Sequence, residues 1–244
     1  MSSNINQYEE RFIRHRGLAG FSPEIQAELQ QKRVFLAGVG GLGGLAAAEL
    51  TAVGVGHFTF CDDGLLEESN LNRQIFYRQK DMDRPKAQVL AERMAEFAPQ
   101  SVFRSIQARI SEENAAELID GCDLVLDCFD NDASRFILNR AAVAAGIPIV
   151  HGGIRGWSGE AALLIADEAP CFACLRAEGA PKPDAPIPVI AVAAAQIATM
   201  QATIAVRYLI GRGEDAGRLL LWDGGELALQ NLKIRRNPEC PVCG

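Results

Sequence analysis

The chain is predicted to take an α/β fold: a Rossmann-like, mostly parallel sheet with helices on both faces, extended by antiparallel strands in its C-terminal half. Three observations predict it. Short apolar strand patterns alternate with helical ones as far as Gly152. A G-x-G-x-x-G turn at Gly38, Gly40 and Gly43 stands between the first strand of that series and an alanine-rich helix. Beyond Gly153 the rhythm changes and closes on two late strands.

Taken in order, the strand patterns are KRVFLAG (32–38), HFTFCDD (57–63), VFRSIQA (102–108), DLVLDCF (123–129) and IPIVHGG (147–153). Between them, Gly43–Val53, Lys86–Phe97, a short Asn114–Ile119 and Ala133–Ala145 carry apolar residues at helical spacing. Strands that alternate with helices need right-handed crossovers, which makes their sheet parallel and covers both its faces. The second half then reads as EAALLIA (160–166), a cysteine pair, a proline-rich loop (180–188) and one long apolar helix, Ile187–Ile210. Two strands follow, RLLLWDG (218–224) and ELALQNLKI (226–234), expected to form a hairpin around Gly224–Gly225. The whole reads as one domain, with an N-terminal helical arm (1–30), a nucleotide-binding half (31–152) and a second half (153–244).

Composition narrows the function. The 244 residues carry a net charge of −7, which argues against a nucleic-acid partner. The helix Ile187–Ile210 approaches the length of a membrane span, but Gln196, Thr199, Gln201, Thr203 and Arg207 interrupt it, so it is expected in the core or a subunit interface, with no membrane partner. MSSNINQYEERFIRHRG places charges where an export signal needs an apolar run, and a cytoplasmic location is expected.

In that compartment seven cysteines suggest metal or catalysis before disulfides. Cys171 and Cys174 form one C-x-x-C knuckle, Cys240 and Cys243 another. Two knuckles of equal spacing favour a structural four-cysteine zinc site over a redox dithiol with a chance companion, and four protein ligands leave the metal no open position. Cys61, Cys122 and Cys128 lie in or beside strand patterns and read as small buried hydrophobes.

The glycine turn frees backbone N–H groups for phosphate, and Asp62, at the end of the second strand, lies at the spacing of a ribose ligand. NAD and ATP both fit that much. The run Ser69-Asn70-Leu71-Asn72-Arg73-Gln74 then puts a guanidinium beside the nucleotide, and Lys86 adds a second cation at a helix start, although either could be a solvated surface charge. Asp130, just past the fourth strand, lies on the same carboxyl edge and suits Mg²⁺ facing a triphosphate; alternatively it, or Asp132, caps the next helix. A metal with two cations suits phosphoryl or nucleotidyl transfer, and hydride transfer needs none of them.

RFIRH, GVGGLGG, Asp62, SNLNRQ, RPKA, CFDND and the two C-x-x-C pairs occur in the order found in the MoeB/ThiF-type adenylyltransferases, bacterial relatives of ubiquitin-activating enzymes, and the chain resembles that family along essentially its whole length. The resemblance implies a homodimer that uses ATP and Mg²⁺ to adenylate the C-terminal glycine carboxylate of a small ubiquitin-like sulfur carrier ending in Gly-Gly, releasing pyrophosphate. It makes the chain an adenylation domain whose second half binds the carrier and zinc. Gly38, Gly40, Gly41 and Gly43 would cradle the nucleotide and Asp62 its ribose. Asn70, Arg73 and Lys86 would hold the phosphates and Asp130 the Mg²⁺, with Gln74 and Asn131 also among the residues that bind the nucleotide. Arg14 would reach the ATP of the other subunit.

Four features depart from the family pattern or go beyond it. Residues 175–200 contain no cysteine for a covalent carrier link, so the reaction is expected to stop at the acyl-adenylate, with sulfur supplied by a cysteine desulfurase or sulfurtransferase. His15 stands where glutamine is usual, and Asp63-Gly64 changes the local acid pattern. His151, Arg155 and Trp157, after the fifth strand, are candidates to line the carrier-tail channel. Competing readings are an NAD(P)-dependent oxidoreductase and a non-catalytic ubiquitin-like-protein partner; Arg73, Lys86 and Asp130 weigh against both.

Overall fold

A computed structural model describes residues 10–166, 168–179 and 187–244. The tip of the proline-rich loop, 180–186, and the first nine residues lie outside the described residues. After a 3-10 turn at Ile13–His15, the chain runs through α1 (Pro23–Leu29), β1 (Arg33–Ala37), α2 (Gly43–Val53), β2 (His57–Cys61), α3 (Lys86–Phe97) and β3 (Val102–Ile106). It continues through α4 (Ala115–Ile119), β4 (Leu124–Asp127), α5 (Asp132–Ala145), β5 (Ile149–Arg155), β6 (Ser158–Leu164), α6 (Phe172–Leu175), α7 (Ala191–Leu209), β7 (Arg218–Asp223) and β8 (Ala228–Lys233).

The strands form one sheet in the order β3-β2-β1-β4-β5-β6-β7-β8. The first five are parallel, and β6, β7 and β8 add on antiparallel. From β1 the chain moves outward to β2 and β3, then returns to place β4 on the other side of β1. That reversal opens a crevice at the carboxyl ends of β1 and β4, where open parallel sheets bind ligands.

Two apolar layers cover the sheet. β1 is apolar on both sides because both are covered: Val34 and Leu36 pack with α2, α3 and α7 on one face, while Phe35 and Ala37 pack with α4, α5 and α6 on the other. The alanines of α2 and α7 let those two helices lie close together, with Ala46, Ala47, Ala198 and Ala205 fully buried. No helix among the described residues is long and apolar enough to cross a membrane.

Several boundaries shift from the sequence reading. The long helix starts at Ala191, because residues 188–190 are held in extended backbone: Gly156 N–H donates to the Pro188 carbonyl, and Ile190 N–H to Gly156. β5 continues to Arg155, so the division at residue 152 falls inside a strand. The cap of α5 is Asn131, whose side chain accepts the Ser134 N–H at 2.9 Å, and neither Asp130 nor Asp132 fills that role. Of the N-terminal arm, the described part is helical at residues 10–11, in the short turn and in α1.

Candidate functional site

The glycine turn lies between β1 and α2 and is shaped by close backbone approaches. Gly38 has φ +88°, and a Cβ there would stand 3.0 Å from the Cys128 carbonyl oxygen on the other side of the crevice. A Cβ on Gly43 would collide with the Gly38 carbonyl itself. Gly40 and Gly41 lie under the next segment, with Gln74 Nε2 and Arg73 Cγ where their side chains would be, at 3.4 and 3.5 Å. No side chain caps the start of α2; the Gly44 N–H donates to the Gly40 carbonyl at 3.1 Å, and the remaining N–H groups of the helix start suit an anionic ligand.

Asp62 is tied to that turn. Its Oδ2 accepts the Val39 N–H at 2.9 Å and its Oδ1 the Gly64 N–H at 2.8 Å. Burial raises its pKa, against the opposing effects of those two N–H groups and of Lys86. The Lys86 ammonium and the Asp62 carboxylate flank Gly64, 3.2 and 3.0 Å from where its Cβ would be. Each carboxylate oxygen keeps a lone pair for a hydroxyl donor. Tyr77, which the sequence reading passed over, donates its hydroxyl to the Val39 carbonyl at 2.6 Å and so pins the turn from the same side. The signal was the short apolar run Ile75-Phe76-Tyr77 between two polar stretches.

Arg73 is half-buried and donates from Nη1 to the Ser69 carbonyl at 2.9 Å and to Asn72 at 3.0 Å. Gln74 is buried beside Gly40, and its Oε1 has no hydrogen-bond partner. Such an orphaned acceptor at a glycine turn suits a donor brought by a ligand. Asn70 is buried and faces inward, its Oδ1 accepting the Glu67 N–H at 3.2 Å. Asp130 is exposed past the end of β4, with Oδ1 receiving the Asn131 amide at 3.3 Å. An exposed carboxylate with unfilled lone pairs fits Mg²⁺.

The fold thus brings Gly38, Gly40, Gly41, Gly43, Asp62, Arg73, Gln74 and Lys86 together, and places Asp130 and Asn131 across the crevice. Arg14 is not among them. It is exposed on the turn Ile13–His15, where His15 Nδ1 donates to Gln26 Oε1 at 2.8 Å and Gln26 Nε2 donates to the Val53 carbonyl at 2.9 Å. Val53 ends α2 and the glycine turn begins it, so about 16 Å of helix separates this anchor from the same chain's phosphate cradle.

The four knuckle cysteines converge, their sulfurs all within 4.8 Å of one another. Cys171 and Cys240 are 3.7 Å apart, Cys174 and Cys243 3.5 Å. A tetrahedral zinc with bonds of about 2.3 Å needs sulfurs ~3.8 Å apart, so the donor set fits. Burial pushes the Cys171 thiol up to about 12, and it would also raise Cys240. There, however, the Cys243 and Val242 N–H groups and the neighbouring thiols win, drawing Cys240 down to about 7. The Asn237 N–H donates to Cys174 Sγ at 3.4 Å, and Asn139, which accepts the Phe172 N–H, turns its buried amide toward the Cys171 thiol. Cys61 and Cys122 are each pushed up to about 11, chiefly by burial, as inert core thiols are.

His151 is fully buried and therefore does not line an open channel, whereas Arg155 and Trp157 are exposed. Its imidazole lies between Asp127 and Glu160, in a polar network that the sequence reading did not foresee.

The ThiF family profile matches residues 12–242. The SAMP-activating enzyme E1 of Haloferax volcanii is 37% identical over 241 residues, covering 96% of this chain and 88% of that protein. The sulfur carrier protein adenylyltransferase of Thermus thermophilus is 36% identical, covering 96% and 90%. Among solved structures, Escherichia coli MccB with MccA-N7isoASN superposes with a TM-score of 0.87 at 19% identity, covering 97% of this chain and 74% of that one, a likeness of fold. Matched by the family profile over nearly its whole length, with relatives above 30% identity that it spans almost end to end, the chain belongs to the ThiF family.

Proposed function

We propose that the chain adenylates the C-terminal glycine carboxylate of a small ubiquitin-like sulfur carrier, with ATP as donor. The observation that carries this is the grouping of two cations, Arg73 and Lys86, with the glycine turn and Asp62 on one side of the crevice, and Asp130 on the other. Relatives named as sulfur carrier and molybdopterin-synthase adenylyltransferases support it.

In this reading Asp62 takes the ribose hydroxyls, and the N–H groups at the start of α2 take phosphate. A carboxylate oxygen of the carrier attacks the α-phosphorus, and the bond to the bridging oxygen of pyrophosphate breaks. The attacking group is already ionised at neutral pH, so no general base is needed. The obstacle is charge: an anion approaches a polyanion whose leaving group gathers more. Arg73 and Lys86 offset that charge from fixed positions, with no reorganisation as the reaction proceeds. Asn70 holds the polypeptide turn that carries Arg73, and Gln74 offers its free Oε1 to the ligand. Asp130, steadied by Asn131, would hold Mg²⁺, which supplies charge neutralisation on the phosphates when bound.

Arg14 serves the neighbouring subunit of a homodimer, because its anchor lies a helix length from its own cradle. The four-cysteine cluster holds zinc in a structural role and fastens the C-terminal tail to the turn at α6. With no cysteine in residues 175–200, the reaction ends at the acyl-adenylate, and sulfur comes from a separate desulfurase or sulfurtransferase in the cytoplasm. The test is carrier-dependent exchange of labelled pyrophosphate into ATP, lost in Asp130→Ala and Arg73→Ala. An NAD(P) reading has no use for those residues.

A further inference from the structure

The polar network beneath the Asp130 loop is larger than the end of a strand requires. Asp127 closes β4, and its Oδ1 accepts the Phe129 N–H at 3.2 Å. Arg135 grips the same residue from the other side, donating from Nη2 to the Phe129 carbonyl at 2.6 Å and to the Gly152 carbonyl at 3.0 Å. Asp130 follows directly, so the peptide that leads into it is fixed by two ionic side chains, the buried Asp127 and the largely covered Arg135.

His151 holds that clamp in register. Its Nδ1 donates to Asp127 Oδ2 at 2.7 Å, and its Nε2 lies 3.4 Å from Glu160 Oε1. Around the imidazole stand Asp127 on β4, Glu160 on β6, Arg135 on α5 and Arg176 just beyond α6, with Asp132 paired to Arg135 at 3.5 Å. Three carboxylates face two guanidiniums, and a protonated imidazole balances the set. The Phe172 ring, 5.0 Å away, and Gln201, whose amide donates to the Asp127 and Val150 carbonyls, close off water.

We propose that His151 is a positioning residue for adenylation, fixing through Asp127 and Arg135 the loop that presents Asp130 to the nucleotide. The proposal rests on the reading of Asp130 as the metal-holding carboxylate. Outer-shell partners of metal ligands typically change affinity or activity by about 10–100-fold when removed.

The experiment compares His151→Ala, His151→Asn and Asp130→Ala in the full chain. Its readouts are Mn²⁺ affinity of the ATP complex by electron paramagnetic resonance, the pyrophosphate-exchange rate, and the melting temperature. We expect His151→Ala to weaken Mn²⁺ binding and slow exchange about tenfold with the carrier KM unchanged. Asn, whose amide N–H can reach Asp127 as Nδ1 does, restores most of both. Should the alanine variant not fold, His151→Gln takes its place, since its amide is withdrawn from Asp127. Wild-type Mn²⁺ affinity in His151→Ala, or equal losses in the alanine and asparagine variants, overturns the proposal. If Asp130→Ala itself leaves Mn²⁺ binding unchanged, the metal reading fails and this proposal falls with it. If Asp130→Ala abolishes binding while His151→Ala does not alter it, only the role of His151 is lost.

Discussion

Gly43 and Gly38 meet backbone to backbone: the first residue of α2 leaves no room for a side chain against the Gly38 carbonyl oxygen. Gly43→Ala must therefore push the helix start away from β1. We expect it to cost about 1–3 kcal/mol of stability, as overpacking does, and to weaken ATP binding with it. Gly41→Ala is the control for folding, since its Cβ would make only ordinary contacts at 3.5 Å with Ala194 and Arg73. Thermal melts and ATP calorimetry of the two variants separate the cases.

The separation of Arg14 from its own glycine turn makes a prediction for mixtures. Arg14→Ala and Asp130→Ala homodimers should each be inactive. Once their subunits exchange, half of the dimers are mixed and each of those holds one complete site, so about a quarter of wild-type exchange activity should return. No recovery after verified subunit exchange would place Arg14 in its own site or outside the reaction.

The sulfur geometry predicts about one zinc per chain. Metal analysis of the purified protein checks it, and Cys174→Ala should lower both the zinc content and the melting temperature. Metal-free protein with an undisturbed melt would remove the structural role of the cluster.

Acid should find the network at Glu160. Burial opposes its charge, but the hydrogen bonds of His151 and Arg176 and their charges prevail and hold it at about 2, below the ordinary 4.5. A depressed carboxyl contributes stability above its unfolded pKa that is lost as pH falls toward the folded one. Between pH 4.5 and about 2, roughly 3 kcal/mol should disappear. His151 moves the other way: burial lowers its pKa, but the hydrogen bonds of Asp127 and Glu160 outweigh this and raise it above 6.5. Its contribution is present below 6.5 and fades as pH rises through the raised value. Denaturant melts across pH should show a flattened acid limb in Glu160→Gln.

Where the sequence was legible, the reason was local. Strand and helix periods, the Gly38–Gly43 spacing and the cysteine knuckles each leave a short-range mark, and each element appears at its place within a few residues. The start of the long helix was misplaced because its first residues pair with the β5–β6 turn, a contact between segments about thirty residues apart in the chain. His151 and Gln201 were harder still. One sits in an ordinary strand pattern and the other in an apolar helix, and only the sheet order brings them to Asp127. Asp127 stood inside the strand pattern DLVLDCF with no mark of its role, since a buried carboxylate and an exposed one look alike in a sequence.

The central claim is that a carrier's C-terminal carboxylate attacks ATP in the crevice between β1 and β4. Carrier-dependent exchange of labelled pyrophosphate into ATP tests it most directly. The account predicts exchange that requires both Mg²⁺ and a carrier with an intact C-terminal Gly-Gly, reduced at least about a hundredfold in Asp130→Ala and in Arg73→Ala. Exchange absent with every Gly-Gly carrier tried, or unaffected by those two substitutions, would contradict it.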